Sequence, residues 1–525
     1  MAVSTTMQAV PAAEEKIDPK KAFAFLAMVF GMFMAILDIQ IVSASLAEIQ
    51  AGLGASSDEI SWVQTSYLIA EVVMIPLSGF LGRLLSTRVL FTVSAAGFTA
   101  ASVLCATATN IEQMIVYRAI QGFIGGGMIP SVFAAAFTIF PPSKRSIVSP
   151  IVGLVATLAP TVGPTIGGYL SHAFSWHWLF LVNVGPGILV AIAAWNLIDF
   201  DKGDKSLLAK FDWWGLAGMA AFLGSLEYVL EEGPRNDWFQ DSHIVIMTIV
   251  LVAGALMFFY RAFTAEEPIV DLSAFRNMNF ALGSSFSFIM GVGLYGLTYL
   301  YPLYLGSIRG YDALMIGEAL FVSGLAMFMT APLAGFLSTR MDPRLMMMIG
   351  FIGFAAGTYL MTGLTADWDF YELLLPQILR GCSMMLCMVP INNLALGTLH
   401  PSHIKNASGL FNLMRNLGGA IGLAVINTML MRRGDLHYAQ LSEHLNWGNR
   451  EAQEMLANLT AKFNAAGMDG ANIALMKLSG MVRQQATLMS FIDVFMILTV
   501  LFVSLAFFAT MMKKPGDVSK DAAGH

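Results

Sequence analysis

Three charged side chains interrupt long apolar runs in the first quarter of the chain: Asp38, Glu71 and Arg118. A charge in hydrocarbon is costly, so such residues mark ion or proton pathways, or fixed ion pairs that hold helices together. Gln64, Tyr67, Glu71 and Ser78 follow at i, i+3, i+7 and i+14, one polar stripe on an otherwise apolar helix. Arg118 and Gln121 are three apart and share a face. Burial favours a neutral carboxylic acid, whereas a nearby guanidinium favours the carboxylate. A carboxylate whose surroundings alternate between the two can load a proton on one side of a membrane and release it on the other. Residue types alone leave both readings open, proton or cation carrier and static pair. Further along, Glu318, Gln377, Arg380, Asn392, Asn393 and Arg415 are also embedded, and the two asparagines suit interhelical hydrogen bonds. Tyr295 and Tyr299, in a chain with 35 Met, suit a cavity for varied apolar or cationic ligands. Lipid contact and interfacial belts account for most of the other aromatics. Asp493 reads as a wet helix end.

Other chemistries lack their signatures. There is no Walker-type loop, no HExxH and no CxxC, so the reading is a non-enzyme without a cofactor or bound metal. Cys105, Cys382 and Cys387 all fall in apolar spans and read as buried small residues. The net charge of −6 gives no reason to expect nucleic acid.

The elements that position these residues must be membrane helices. The chain is 56% hydrophobic and 12% charged, with a mean hydropathy of +0.67; soluble domains carry about a quarter charged residues. A spanning helix needs roughly 20 mostly apolar residues. That ruler gives 14 spans, at 22–46, 60–82, 89–108, 112–140, 147–172, 179–197, 213–230, 243–263, 280–305, 315–337, 345–364, 371–399, 407–431 and 487–512. The first run is too long for a signal-peptide core and contains Asp38, so no cleavable signal is expected. If the N-terminus is cytoplasmic, 18 of the 29 basic residues fall on that side and the opposite short loops hold only Arg235 and Arg309. The positive-inside rule then places both termini in the cytoplasm.

Gly-Phe-Leu introduces a short basic turn after the second span (79–88) and again after the tenth (335–344). The pair fits a parallel repeat of two six-helix halves separated by two extra spans. The expected organisation is a tail over 1–21, a first half over 22–198, a linker with two spans over 199–279, a second half over 280–512 and a tail over 513–525. Within the second half, the polar loop 432–486 is long enough to be a docking surface and could be partly amphipathic helix. The fifth span is unusual in combining an apolar run with Pro160, Pro164 and a Gly163, Gly167, Ser171 spacing. The prolines should bend it, and the small face should let another backbone come close.

These motifs resemble the major facilitator superfamily, and within it the 14-helix drug:proton antiporters of the EmrB/QacA type. ILDIQIV (36–42) is similar to the first-span signature, and WVQTSYLIAEVVMIPLSG (62–79) to the second-helix pattern. Arg118, Gln121 and Gly122 match motif B; Gly163, Pro164, Gly167 and Gly168 look like the antiporter motif C. WHWLFLVNVGPG (176–187) and PIVDLSAFRNMNF (268–280) are further similarities. The resemblance departs at motif A, where Arg83 stands at the usual acidic position and Ser86 at the usual second glycine; in motif C, Ala159 and Pro150 replace upstream glycines.

The resemblance implies an all-α integral membrane protein with the major facilitator fold, in a bacterial inner membrane. It implies proton-driven export of hydrophobic or cationic small molecules by alternating access. Asp38, Glu71 and Arg118 would couple to protons, and Gln64, Tyr67, Gln121, Tyr295, Tyr299, Gln377, Asn392 and Asn393 would line the substrate cavity. The motif C residues, with Arg380 and Arg415, would gate, the fifth span sealing against the other half. A periplasmic adaptor protein and an outer-membrane channel would be partners, in a tripartite pump. A dedicated exporter of one metabolite or siderophore, an uptake symporter (against which Gly163-Pro164 argues) and a non-transporting receptor or scaffold are the competing readings.

Overall fold

The computed structural model describes residues 18–511 apart from 57–58, 142–143, 444, 446–448 and 467–468. The rest of the two tails, with Lys16, Lys513, Lys514 and Lys520, lies outside the described residues. Among the described residues there are eighteen α-helices and no strand. In order they are α1 (Pro19–Ala44), α2 (Leu46–Leu53), α3 (Trp62–Leu85), α4 (Thr87–Ala106), α5 (Ile111–Gly125), α6 (Met128–Ile139), α7 (Arg145–Ala173), α8 (Trp178–Leu181) and α9 (Val184–Leu197). There follow α10 (Trp213–Glu232), α11 (Ser242–Thr264), α12 (Met278–Ser307), α13 (Ala313–Arg340), α14 (Pro343–Leu360), α15 (Phe370–Gly397), α16 (Ile404–Glu443), α17 (Arg450–Ala465) and α18 (Gly470–Phe508).

Thirteen segments among the described residues are long and apolar enough to cross a membrane. The protein is therefore multi-pass. The remaining expected span is α10, a 20-residue helix whose hydropathy is diluted by Trp213, Trp214 and Glu227. It packs along α11, and Asp212, which caps α10, accepts a hydrogen bond from Arg261 Nε at 2.9 Å. Ile249, Val252, Leu256 and Phe263 on α11 are exposed, as a lipid-facing helix requires. Short turns are closed by caps: Asp18 before Pro19, Asn110, Asp241, Asn277, Asp312, Asp342 before Pro343, and a capping box at Asp369 and Glu372. Each satisfies backbone N–H groups that lipid cannot.

Two spans expected to be single helices are broken. The fourth is interrupted at Gly126 and Gly127, between α5 and α6, and the sixth at Val182 and Asn183, between α8 and α9. The thirteenth and fourteenth are longer than expected, because α16 and α18 run on as helix through most of the polar loop, with α17 packed on α18. Asp493 is not merely a wet helix end. It accepts hydrogen bonds from Arg433 Nε at 2.6 Å and from His437 Nε2 at 2.7 Å, tying α18 to α16. Arg483 lies over the Tyr438 ring at 5.8 Å further out.

The helices sort into two packed groups, α1 with α3–α9 and α12–α16 with α18, which meet mainly through α7 against α13 and through α3 and α6 against α16. Within the second group, α12 and α16 touch backbone to backbone. A Cβ at Gly418 would lie 1.8 Å from Phe288 O, and one at Gly291 would lie 2.0 Å from Arg415 O. Gly418→Leu is expected to remove most folded protein from the membrane, measured as the monodisperse fraction after detergent extraction. Recovery at the wild-type yield would contradict this packing.

Candidate functional site

The polar residues of the first group converge on Asp38, in the C-terminal third of α1. Asp38 and Arg118 are both fully buried, and Arg118 Nη1 donates to Asp38 Oδ2 at 2.6 Å. Arg118 also donates to Gln121 Oε1 at 2.7 Å and, through Nε, to Val63 O at 3.1 Å. Gln121 Nε2 reaches Asp38 Oδ1 at 3.2 Å and Ser102 Oγ at 2.8 Å. The break between α8 and α9 turns Asn183 inward, where its Nδ2 donates to Asp38 Oδ1 at 2.7 Å. The guanidinium lies over the Tyr67 ring at 4.2 Å and the Phe180 ring at 5.8 Å. Four helical segments thus hold one carboxylate, both of whose oxygens accept hydrogen bonds.

Glu71 is placed differently. It is buried one turn along α3 from Tyr67, and its Oε1 has no hydrogen-bond partner; nor do Tyr67 Oη, Gln64 Oε1 and Arg118 Nη2. Glu71 feels the charges of both Arg118 and Asp38, and it acts in turn on Tyr295 of the second group and on Glu227 of α10. Arg118, bonded to Asp38, thus also lies in the field of Glu71, a second buried carboxyl group, and Glu227 is a third.

Sequence reasoning missed Asn183, although an Asn in an apolar run followed closely by Gly185 was the available signal. Asn183→Leu is expected to leave Asp38 Oδ1 with one donor, costing about 1.5–3 kcal/mol for a hydrogen bond to a charged group. Thermal unfolding in detergent should show a lower midpoint; an unchanged midpoint would mean that the contact is dispensable.

The second group has no matching pair. Arg380 donates to Thr298 Oγ1 at 2.6 Å and lies over Tyr301; Arg415 bonds Asn412 and lies over Phe133 of the first group. Neither has a carboxylate partner among the described residues. Gln377 donates to Ala319 O at 2.8 Å, fixing α15 on α13, and Asn393 accepts from Ser149 Oγ on α7 at 2.5 Å. Asn392 is buried with its Oδ1 unpartnered. Tyr295 reaches Asn416 at 3.4 Å, and Tyr299 is half-buried near Glu231 and Arg235. Gln377, Arg380 and Asn393 are thus spread along helix contacts rather than gathered with Asp38. Glu318, expected to be embedded, is exposed on its helix surface.

α7 runs as a continuous helix through Pro150, Pro160 and Pro164. Its small face does not meet the other group, as expected for a seal. A Cβ at Gly163 would lie 2.3 Å from Gln40 Cβ, and one at Gly167 would lie 2.7 Å from Ile41 O, so this face clasps α1 just past Asp38. Gly168 is buried beside it, and its carbonyl accepts from Ser171 Oγ at 3.2 Å. The contact with α13 uses the other side of α7, where Thr165 meets Gly317.

At the end of the bundle that carries the N-terminus, Ser86 has φ 83°, the left-handed backbone that favours glycine. The carboxylate absent at Arg83 comes from elsewhere: Asp201, beyond α9, accepts from Thr87 N at 2.9 Å and pairs with Lys405 of the second group. Lys405 also donates to Gly82 O at 3.0 Å, and Arg83 faces Glu267 at 3.7 Å.

The model of the Major Facilitator Superfamily matches residues 28–423. The chain belongs to this superfamily. It is 43% identical over 503 residues to the colistin resistance protein EmrB of Acinetobacter baumannii, covering 96% of this chain and 98% of that one. It is 30% identical over 463 residues to the multidrug export protein EmrB of Escherichia coli K12, covering 88% of each. The crystal structure of the human organic anion transporter MFSD10 superposes with a TM-score of 0.57 at 12% identity, over 92% of this chain and 100% of that chain, a likeness of fold. The superfamily member described here is thus an all-α membrane transporter and not an enzyme.

Proposed function

We propose that the protein exports hydrophobic or amphipathic compounds, cationic ones included, across a bacterial inner membrane in exchange for protons. The observation that carries this reading is the contrast between two buried carboxyl groups: Asp38 is paired with Arg118, while Glu71 is buried beside that pair with an oxygen that has no hydrogen-bond partner. A buried carboxyl group without a cation of its own is the natural place for a proton to be taken up and released. The relatives named for multidrug export and colistin resistance support the direction and the substrate class. In this reading Asp38 holds Arg118, Glu71 takes and releases the proton, and Gln64, Tyr67, Gln121, Tyr295 and Tyr299 face the passing substrate. Both termini are cytoplasmic, by the basic bias of the loops.

The two groups, acting as six-helix halves with α10 and α11 between them, rock about the central site. The Asp201–Lys405 contact latches the cytoplasmic end, in the role that an acidic residue at position 83 would fill. Asp201→Ala is expected to slow transport several-fold, and the charge-exchanged pair Asp201→Lys with Lys405→Asp should recover part of the rate. Full rates in both variants would show that the contact is incidental. The α16–α18 extension with α17 is the surface for a periplasmic adaptor, which in turn would reach an outer-membrane channel. Vesicle transport of a chemically varied panel under an imposed pH gradient tests the whole reading; failure to move any compound favours a receptor or scaffold.

A further inference from the structure

We propose that the groove between α7 and α13 is a binding site for one anionic phospholipid of the surrounding bilayer. The groove has a volume of about 460 Å³, within the roughly 300–1,000 Å³ of small-ligand sites. Its walls are Ile151 and Leu154 on α7 and Phe328, Pro332, Phe336 and Thr339 on α13, almost wholly apolar. Phe328 and Phe336 are exposed at its mouth, so it opens sideways toward lipid rather than to water. On another side α7 packs on α15, where Asn393 is bonded to Ser149 and Gly153 rests on Met388. An apolar groove that opens onto the bilayer fits a resident acyl chain better than a passing substrate.

The charge at its end names the headgroup. Arg340 lies over the Phe336 ring at 4.2 Å, is exposed, and has no ion-pair partner among the described residues. Lys144, just before α7, adds a second cation at the same end of the bundle. That end meets the cytoplasmic leaflet in the orientation proposed above. A phosphate on Arg340 with its acyl chain along Pro332 and Phe328 satisfies both halves of the site. Because α7 and α13 belong to different helix groups, the lipid would bridge the seam along which they move.

The test is lipid retention measured by native mass spectrometry on the full chain, extracted from vesicles of phosphatidylcholine with and without phosphatidylglycerol. This readout does not depend on transport, so it separates this proposal from the export reading. Wild type should retain one phosphatidylglycerol in preference to phosphatidylcholine. Arg340→Gln should lose that preference about tenfold, and Thr339→Trp, which fills the cationic end of the groove, should lose the lipid itself. Equal retention of the two lipids by wild type, or unchanged retention in both variants, would overturn the proposal. Displacement of phosphatidylglycerol by an equal concentration of palmitate would also overturn it, in favour of a transported amphiphile.

Discussion

Asp38→Asn is expected to abolish proton-gradient-driven transport while leaving the protein in the membrane. The substitution keeps the shape of the side chain and most of its hydrogen bonds but removes the anion that Arg118 faces at 2.6 Å. Both groups are fully buried, so little solvent screens the change. A guanidinium stripped of its partner costs about 3–5 kcal/mol in such a site. Glu71, buried and with an unpartnered oxygen, is then the carboxyl group left to face the guanidinium; in the proposed exchange it would be held as a carboxylate and could no longer cycle its proton. Loss of stability alone would also stop transport, so the double variant Asp38→Asn with Arg118→Gln is the control. It removes cation and anion together and should restore the unfolding midpoint without restoring transport. Gradient-driven transport by Asp38→Asn at the wild-type rate would remove Asp38 from the mechanism.

Gly167→Leu carries the second large effect, and its cause differs from the one the sequence suggests. The spacing of Gly163, Gly167 and Ser171 reads as a seal against the opposite half. In the fold, that face grips α1 at Gln40 and Ile41, less than one turn beyond Asp38. A leucine at 167 has no room against the Ile41 carbonyl and must push α1 off α7, which moves Asp38 relative to Asn183 and Arg118. Transport should be largely lost, with the protein still inserted. Gly153→Ala is the matched control, since a Cβ there meets only Met388 Cβ, at an ordinary 3.7 Å. Wild-type transport by Gly167→Leu would show that the clasp does not position the site.

These two cases show which parts of the molecule were legible in the residues. Helix placement and the embedding of Asp38 and Arg118 follow from long apolar runs in which a single charge stands out, whereas the meeting of their helices was implied only by the family resemblance. Partner choice along a helix does not, because a small-residue face states only that something comes close. Asn183 was hidden for a related reason: its inward turn depends on the break between α8 and α9, a backbone feature that apolar periodicity does not encode. The Asp201–Lys405 pair joins residues about 200 positions apart in sequence, and nothing local to Arg83 points to either. The helical extension of α16 and α18 through the polar loop was readable only as amphipathic potential; its register rests on the contacts of Asp493 with Arg433 and His437.

The central claim is that movement of substrate and movement of protons are obligatorily opposed. Purified protein in acid-loaded proteoliposomes, with a fluorescent amphipathic cation outside and a pH dye inside, reads both fluxes at once. The account predicts uptake of the cation accompanied by loss of internal protons, with both signals absent in Asp38→Asn. Cation movement that ignores the gradient, or protons that travel in the same direction as the cation, would contradict it.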